Sequence, residues 1–208
     1  MEFAGVQDIT WHDFVVELHT GVVVFVILAI LVRLGVDLRQ RGKASVSAEV
    51  QQIRQGTDFV AYAGSVLAVI FLIASGITGY YILPYSTLSS QAIYLNKALV
   101  ALGALYFWAA FAFLRFWEGP KLWEKRGLYA FAVVTAFLGL LFTTLAGSLG
   151  AELSIGQSVL TPVYNALSLN FRQLTLQPVD VEITAVTFVV VIIVVALMPL
   201  RKSAAATS

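Results

Sequence analysis

Phe14–Val36, FVVELHTGVVVFVILAILVRLGV, decides the fold. Its polar exceptions are Glu17, His19 and Arg33. A helix rises about 1.5 Å per residue, so roughly 20 apolar residues cross the ~30 Å hydrocarbon layer of a bilayer. This run is long enough, and four others match it. They are Phe59–Leu83, ended by Pro84; Ile93–Trp117, ended by Glu118, Gly119 and Pro120; Leu128–Leu149; and Ile183–Leu200, rich in Val and Ile. Transmembrane strands would be segments of about ten alternating residues. These runs are continuous, and an unpaired backbone in lipid favours helix whatever the β-branched content. The expected architecture is therefore all-α, a polytopic membrane bundle of five transmembrane helices forming one membrane domain over residues 1–208.

Composition agrees. Of 208 residues, 59% are hydrophobic and 12% charged, about half the charge of a soluble domain. Net charge is +1, so no basic excess exists to neutralise phosphates and nucleic acid is excluded as a partner. The absence of cysteine excludes disulfides, zinc–thiolate sites and iron–sulfur clusters. Met1–Asp13 holds no Lys or Arg, which argues for a retained N-terminus rather than a cleaved signal peptide.

Orientation follows from Lys and Arg. All 13 except Lys97 and Arg172 fall on one side of the expected spans: Arg33, Arg39, Arg41, Lys43 and Arg54 after the first, Arg115, Lys121, Lys125 and Arg126 around the third exit, Arg201 and Lys202 in the tail. The expectation is N-out and C-in, in the cell membrane. The outer side carries Glu2, Asp8, Asp13, Glu17, Glu152, Asp180 and Glu182.

Two connections have helical patterning. Val46, Val50 and Ile53 within Ala44–Thr57 suggest a short amphipathic helix on the cytoplasmic surface. In the long outer connection Gly150–Glu182, Leu160, Val163, Leu167, Phe171 and Leu174 share a face, and Pro162 suits a first turn. An interfacial helix over residues 161–176 is expected there.

Few residues can carry chemistry. His12 and His19 are the only histidines. Seven residues apart, they share one helix face, offset by about 10.5 Å, so one straight helix cannot give both axial ligands of a haem. They are candidate cofactor ligands, for haem b or a quinone, only together with a partner chain. A copper or zinc site built from His12, Asp13, Glu17 and His19 would likewise need Asp8, Glu152 or a partner chain to complete its shell. Against this stands an interfacial histidine bonded to a carbonyl or carboxylate. Asp13 and Glu17 stand at i and i+4 and repel unless neutralised; Lys97, beside Asn96 at the outer start of the third span, is the expected partner, giving a polar outer site with Glu152. The glycines Gly76, Gly79, Gly147 and Gly150 suggest close helix contacts or a gap for a flat ring. Tyr106, Phe107, Trp108, Phe111, Phe113, Phe116 and Trp117 suit a lipid- or partner-facing third span. No phosphate loop, nucleophile elbow or zinc-protease helix is present.

The histidines ahead of an apolar run, His12 and Leu18-His19-Thr20-Gly21-Val22, together with Gly147-Ser148-Leu149-Gly150-Ala151-Glu152-Leu153 and Gly156 closing the fourth span, resemble a family of membrane proteins known as domain of unknown function 2231. The resemblance covers about Trp11–Gly156. It implies a four-helix unit with an outward-facing polar end. That family has histidines where this chain has Asn96-Lys97 and Ser148, which removes two of the ligands a haem or metal would use.

The readings that follow are an accessory or structural subunit of a larger membrane complex, respiratory or otherwise redox-active; a b-type haem or quinone-linked electron-transfer subunit; and part of a copper site in a membrane oxidase or monooxygenase assembly. No catalytic set is complete in this chain, so activity would reside in a membrane oxidoreductase of which it is one subunit. Lipid and other membrane subunits are the expected partners.

Overall fold

The computed structural model describes residues 6–41, 45–82 and 91–172, with side chains from Trp11 onward. Four long helices dominate: α1 (Val6–Arg39), α2 (Ala48–Ile82), α3 (Ala92–Glu118) and α4 (Arg126–Ile155). Each is long and apolar enough to cross a membrane, and each contains one of the first four apolar runs. The fifth run, 183–200, lies outside the described residues.

The helices close a ring: α1 packs on α2, α2 on α3, α3 on α4, and α4 back on α1. Successive helices alternate in direction. Arg33, Arg54, Asp58, Arg115 and Trp123 therefore meet at one end of the bundle, while His12 and Thr78 meet at the other. The core is narrow and uneven. Trp108 and Phe111 of α3 are fully buried, opposite Ala61 and Ala68 of α2 and Ala132 and Ala136 of α4. Val23, Val26 and Ile30 complete it from α1. Large rings from one helix fill the space that alanines on its neighbours leave, which gives interdigitation where lipid supplies no hydrophobic drive between helices. The aromatic content of the third span is thus divided: Trp108 and Phe111 form the core, and Phe116, 70% exposed, faces outward.

Close contacts fall on two of the four expected glycines, Gly79 and Gly150, and the closest fall on others. A Cβ at Gly64 would stand 2.5 Å from Val26 Cγ2, at Gly103 2.3 Å from the Phe142 ring, and at Gly139 2.9 Å from the Trp108 indole. Gly76 and Gly147 have open space where a Cβ would go, whereas Gly79 faces His12 and Gly150 faces Lys97. Hydroxyls within the spans are satisfied by their own helix: Thr20, Thr57, Thr135 and Thr144 each donate to the carbonyl four residues back, which keeps them from being unpaired in lipid.

Both expected surface helices differ in the structure. The stretch over 44–57 is no separate element; from Ala48 it is the first three turns of α2. Nothing breaks the helix there, since Gly56 sits in open space and Arg54 is fastened to Asp37 of α1 by a 2.8 Å bond. The outer helix is α5 (Thr161–Ala166), six residues long. Leu167 and Ser168 leave helical geometry, Ser168 with φ 55°, and residues 173–176 lie outside the described residues. Glycine terminates two of the long helices, α3 where the sequence suggests and α4 beyond the expected end at Leu149. Gly156 (φ 76°) closes α4 in the left-handed conformation. Gly119 (φ 61°) with Pro120 turns the end of α3 into a 3₁₀ turn, Gly119–Trp123.

Candidate functional site

The basic end holds a network that the sequence reading treated only as charge. Asp58 of α2 accepts from Arg115 Nε at 2.6 Å and from the Trp123 indole N–H at 2.5 Å, and its second oxygen accepts from Arg115 Nη2. Next to it, Asp37 of α1 takes Arg33 Nε at 2.8 Å and Arg54 Nη2 at 2.7 Å. Arg33 also donates to the Arg54 carbonyl at 3.0 Å and lies 5.3 Å over the Trp123 ring. Three arginines and two aspartates are thus tied together across α1, α2, α3 and the 3₁₀ turn, with one positive charge in excess. All their carboxylate oxygens are occupied by guanidinium or indole donors, so the arrangement fastens helices together and offers no open ligand position. The signal in the sequence was a lone aspartate at the start of one span and a lone arginine at the end of the next, both on the same side.

The opposite end contains the residues singled out from the sequence. His12 Nδ1 lies 3.0 Å from Thr78 Oγ1. The same hydroxyl lies 3.0 and 3.2 Å from the Ala74 and Ser75 carbonyls; with its one proton given to either of them, His12 is the donor and Nε2 keeps its lone pair. His19 sits two turns deeper on the same face. It is 5% exposed, and neither ring nitrogen has a hydrogen-bond partner among the described residues, although the Val16 carbonyl lies beside the ring on its own helix. Asp13 and Glu17 are exposed. Lys97 has Asp13 and His12 as its electrostatic neighbours and packs its Nζ against Gly150. No ion pair joins it to Glu17 among the described residues. Asp13 on α1, not Glu17, is therefore the carboxylate that α3 answers. His12, Asp13, Glu17 and His19 do not converge, and no group of three or more His, Asp or Glu among the described residues is placed to hold a metal. A metal or haem could use His12 Nε2 or His19 only with donors from elsewhere.

The end of α4 and the segment after it form a second polar assembly, which the sequence reading missed apart from Glu152. Tyr164 OH donates to Ser148 Oγ at 2.9 Å, Ser148 and Ser158 hydroxyls lie 2.6 Å apart, Ser158 and Thr161 hydroxyls 3.2 Å apart, and Thr161 donates to Glu152 Oε1. With a carboxylate at one end, each hydroxyl passes its one proton in the same direction, from Tyr164 to Glu152. Asn96, buried at the start of α3, donates to the Phe171 carbonyl at 2.7 Å. The segment 157–172 is thereby latched across the mouth of the bundle, and beneath it opens a cleft of about 510 Å³. Ser148 and Asn96 are the anchors of this latch.

No family model, no curated protein and no solved structure matches the chain.

Proposed function

We propose that this chain is an integral-membrane accessory subunit of a larger redox complex in the cell membrane, oriented N-out and C-in. The observation that carries the reading is where the polar groups inside the bundle are spent. Asp58–Arg115–Trp123 at one end and Tyr164–Ser148–Ser158–Thr161–Glu152 at the other tie the bundle's own elements together. Between them the four spans run unbroken, without the mid-membrane helix breaks and charges on which transporters depend. A chain built this way contributes shape and anchorage to its partners.

A second reading, a haem- or quinone-linked electron-transfer subunit, is favoured by one observation: a buried imidazole, His19, with neither nitrogen bonded among the described residues. Buried polar groups are ordinarily paired, and a ligand is one way to complete this one.

Purification on a tag in gentle detergent, with identification of co-purifying chains and a reduced-minus-oxidised spectrum, tests both. Membrane partners in stoichiometric amount are expected, and a chain that purifies alone at full yield overturns the subunit reading. A b-type absorption band that disappears in His12→Ala or His19→Ala would put the electron-transfer reading first. Orientation is tested separately. In this cysteine-free chain, Asn165→Cys should react with an impermeant thiol reagent on intact cells, and Ser45→Cys should not.

A further inference from the structure

The cleft under the 157–172 segment has walls of two kinds. Ile93 of α3, Leu149 of α4 and Phe171 give it an apolar patch, its floor, beside the polar side chains of Asn165, Ser168 and Asn170. Its rim is charged, with Glu152 and Arg172. Thr161 occupies Glu152 Oε1, and Oε2 has no partner among the described residues. Arg172 makes one side-chain bond there, Nη2 to the Glu152 carbonyl at 3.4 Å, which leaves Nε and Nη1 as open donors. The guanidinium and the carboxylate are not paired with each other. Among the described residues, an unpaired acceptor anion and an unpaired donor cation thus line one cleft together with an apolar patch, at the polar end of four membrane-length helices.

We propose that this cleft binds a membrane lipid by its phosphoethanolamine head. The phosphate lies against the planar fork of Arg172, which matches phosphate oxygens in pairs. The primary ammonium donates to Glu152 Oε2, and the glycerol and upper acyl carbons cover Ile93, Leu149 and Phe171. The volume is that of a small-molecule site. Three features select the head. A choline head has no N–H to give Glu152. A glycerol head brings a phosphate but no cation, leaving Glu152 beside a like charge. The water-soluble phosphoethanolamine ester carries both charges but nothing to cover the floor.

The test uses the full chain purified in detergent, titrated with phosphatidylethanolamine, phosphatidylcholine and phosphatidylglycerol of identical acyl chains, with retention read by native mass spectrometry. One ethanolamine lipid per chain should be retained at about tenfold lower lipid concentration than the other two, the factor expected of one charge-assisted hydrogen bond. Glu152→Gln should abolish that preference, Arg172→Gln should weaken retention of all three lipids because each carries the phosphate, and Lys121→Gln at the opposite end of the bundle should leave both intact. Arg172→Gln keeps the test valid if Glu152→Gln loosens the latch, because Arg172 contributes only its one long bond to the fold. Equal retention of the three lipids by the wild-type chain, or retention unchanged by Arg172→Gln, overturns the proposal. So does competition by soluble phosphoethanolamine at the same concentration as the lipid, which would assign the cleft to the free ester.

Discussion

Asp58 on α2 and Arg115 on α3 meet as a bidentate pair with side-chain exposures of 10% and 13%, and the Trp123 indole completes the carboxylate's coordination at 2.5 Å. Desolvating two charges costs several kcal/mol, and only near-complete hydrogen bonding offsets it. Removing one partner leaves the other charge buried and unpaired. Asp58→Asn should therefore cost about 3–5 kcal/mol, and Trp123→Phe, which deletes one bond to a charged acceptor, about 1.5–3 kcal/mol. Thermal unfolding in detergent, followed by size-exclusion of a fluorescent fusion, gives the order. If Asp58→Asn unfolds at the wild-type temperature, the pair is solvated and the basic end is not a lock.

Trp108 explains why Gly139 has no side chain. The indole is fully buried and its N–H is pinned to Thr143 Oγ1 at 3.1 Å, so it cannot retreat from a Cβ at 2.9 Å. Gly139→Ala should destabilise the bundle by about 1–3 kcal/mol, as overpacking does. Gly147→Ala, with open space at that position, should be neutral or stabilising by up to about 1 kcal/mol through helix propensity. The same unfolding assay compares the two. Equal effects would mean that α3 and α4 are not in close contact at this level.

Four apolar runs were legible because hydrocarbon thickness acts on every residue of such a run, and Gly119 with Pro120 marked the end of α3; the other helices extend beyond their runs, α1 from Val6, α2 from Ala48 and α4 to Ile155. Which glycines pack was not legible. Gly76 and Gly147 look no different in sequence from Gly103 and Gly139, and only the rings of Phe142 and Trp108 distinguish them. The polar sites divide in the same way. His12 and His19 could be found because histidine is rare here. Asp58 with Arg115, and Tyr164 with Ser148, are ordinary residues made significant by partners 57 and 16 positions away. The extent of the outer helix was misjudged because its apolar spacing continues through Phe171, while the chain needs that stretch to turn back and reach Asn96.

Tyr164 holds the latch through one hydroxyl, and its ring packs edge-on against Phe171 with centroids 4.9 Å apart. Tyr164→Phe keeps the ring contact and removes the bond to Ser148. The expected cost is about 0.5–1.5 kcal/mol, and it should appear locally. Hydrogen exchange at residues 158–171 should accelerate while α1 and α2 keep their protection. Uniform acceleration across all helices would mean that the segment is part of the global core, and unchanged exchange would mean that the hydroxyl chain bears no load.

Thr78 decides which nitrogen of His12 is available. Where its own proton goes to the Ala74 or Ser75 carbonyl of α2, Thr78 accepts, and the ring is held as the Nδ1–H form with Nε2 open. Gly79 permits the approach, since a Cβ there would lie 3.3 Å from His12 Cε1. Thr78→Val is nearly isosteric and removes the acceptor. Imidazole ¹⁵N spectra of the wild-type chain should show the Nδ1–H tautomer for His12, and the variant should shift toward Nε2–H. Unchanged spectra would show that the ring does not depend on Thr78. The result also bears on the electron-transfer reading. Any ion or haem held by His12 must be held through Nε2, and loss of an orienting partner of this kind typically weakens such a bond by about 10–100-fold. Thr78→Val should then lower cofactor retention while leaving co-purification of partner chains unchanged, which separates a ligand role for His12 from a purely structural one.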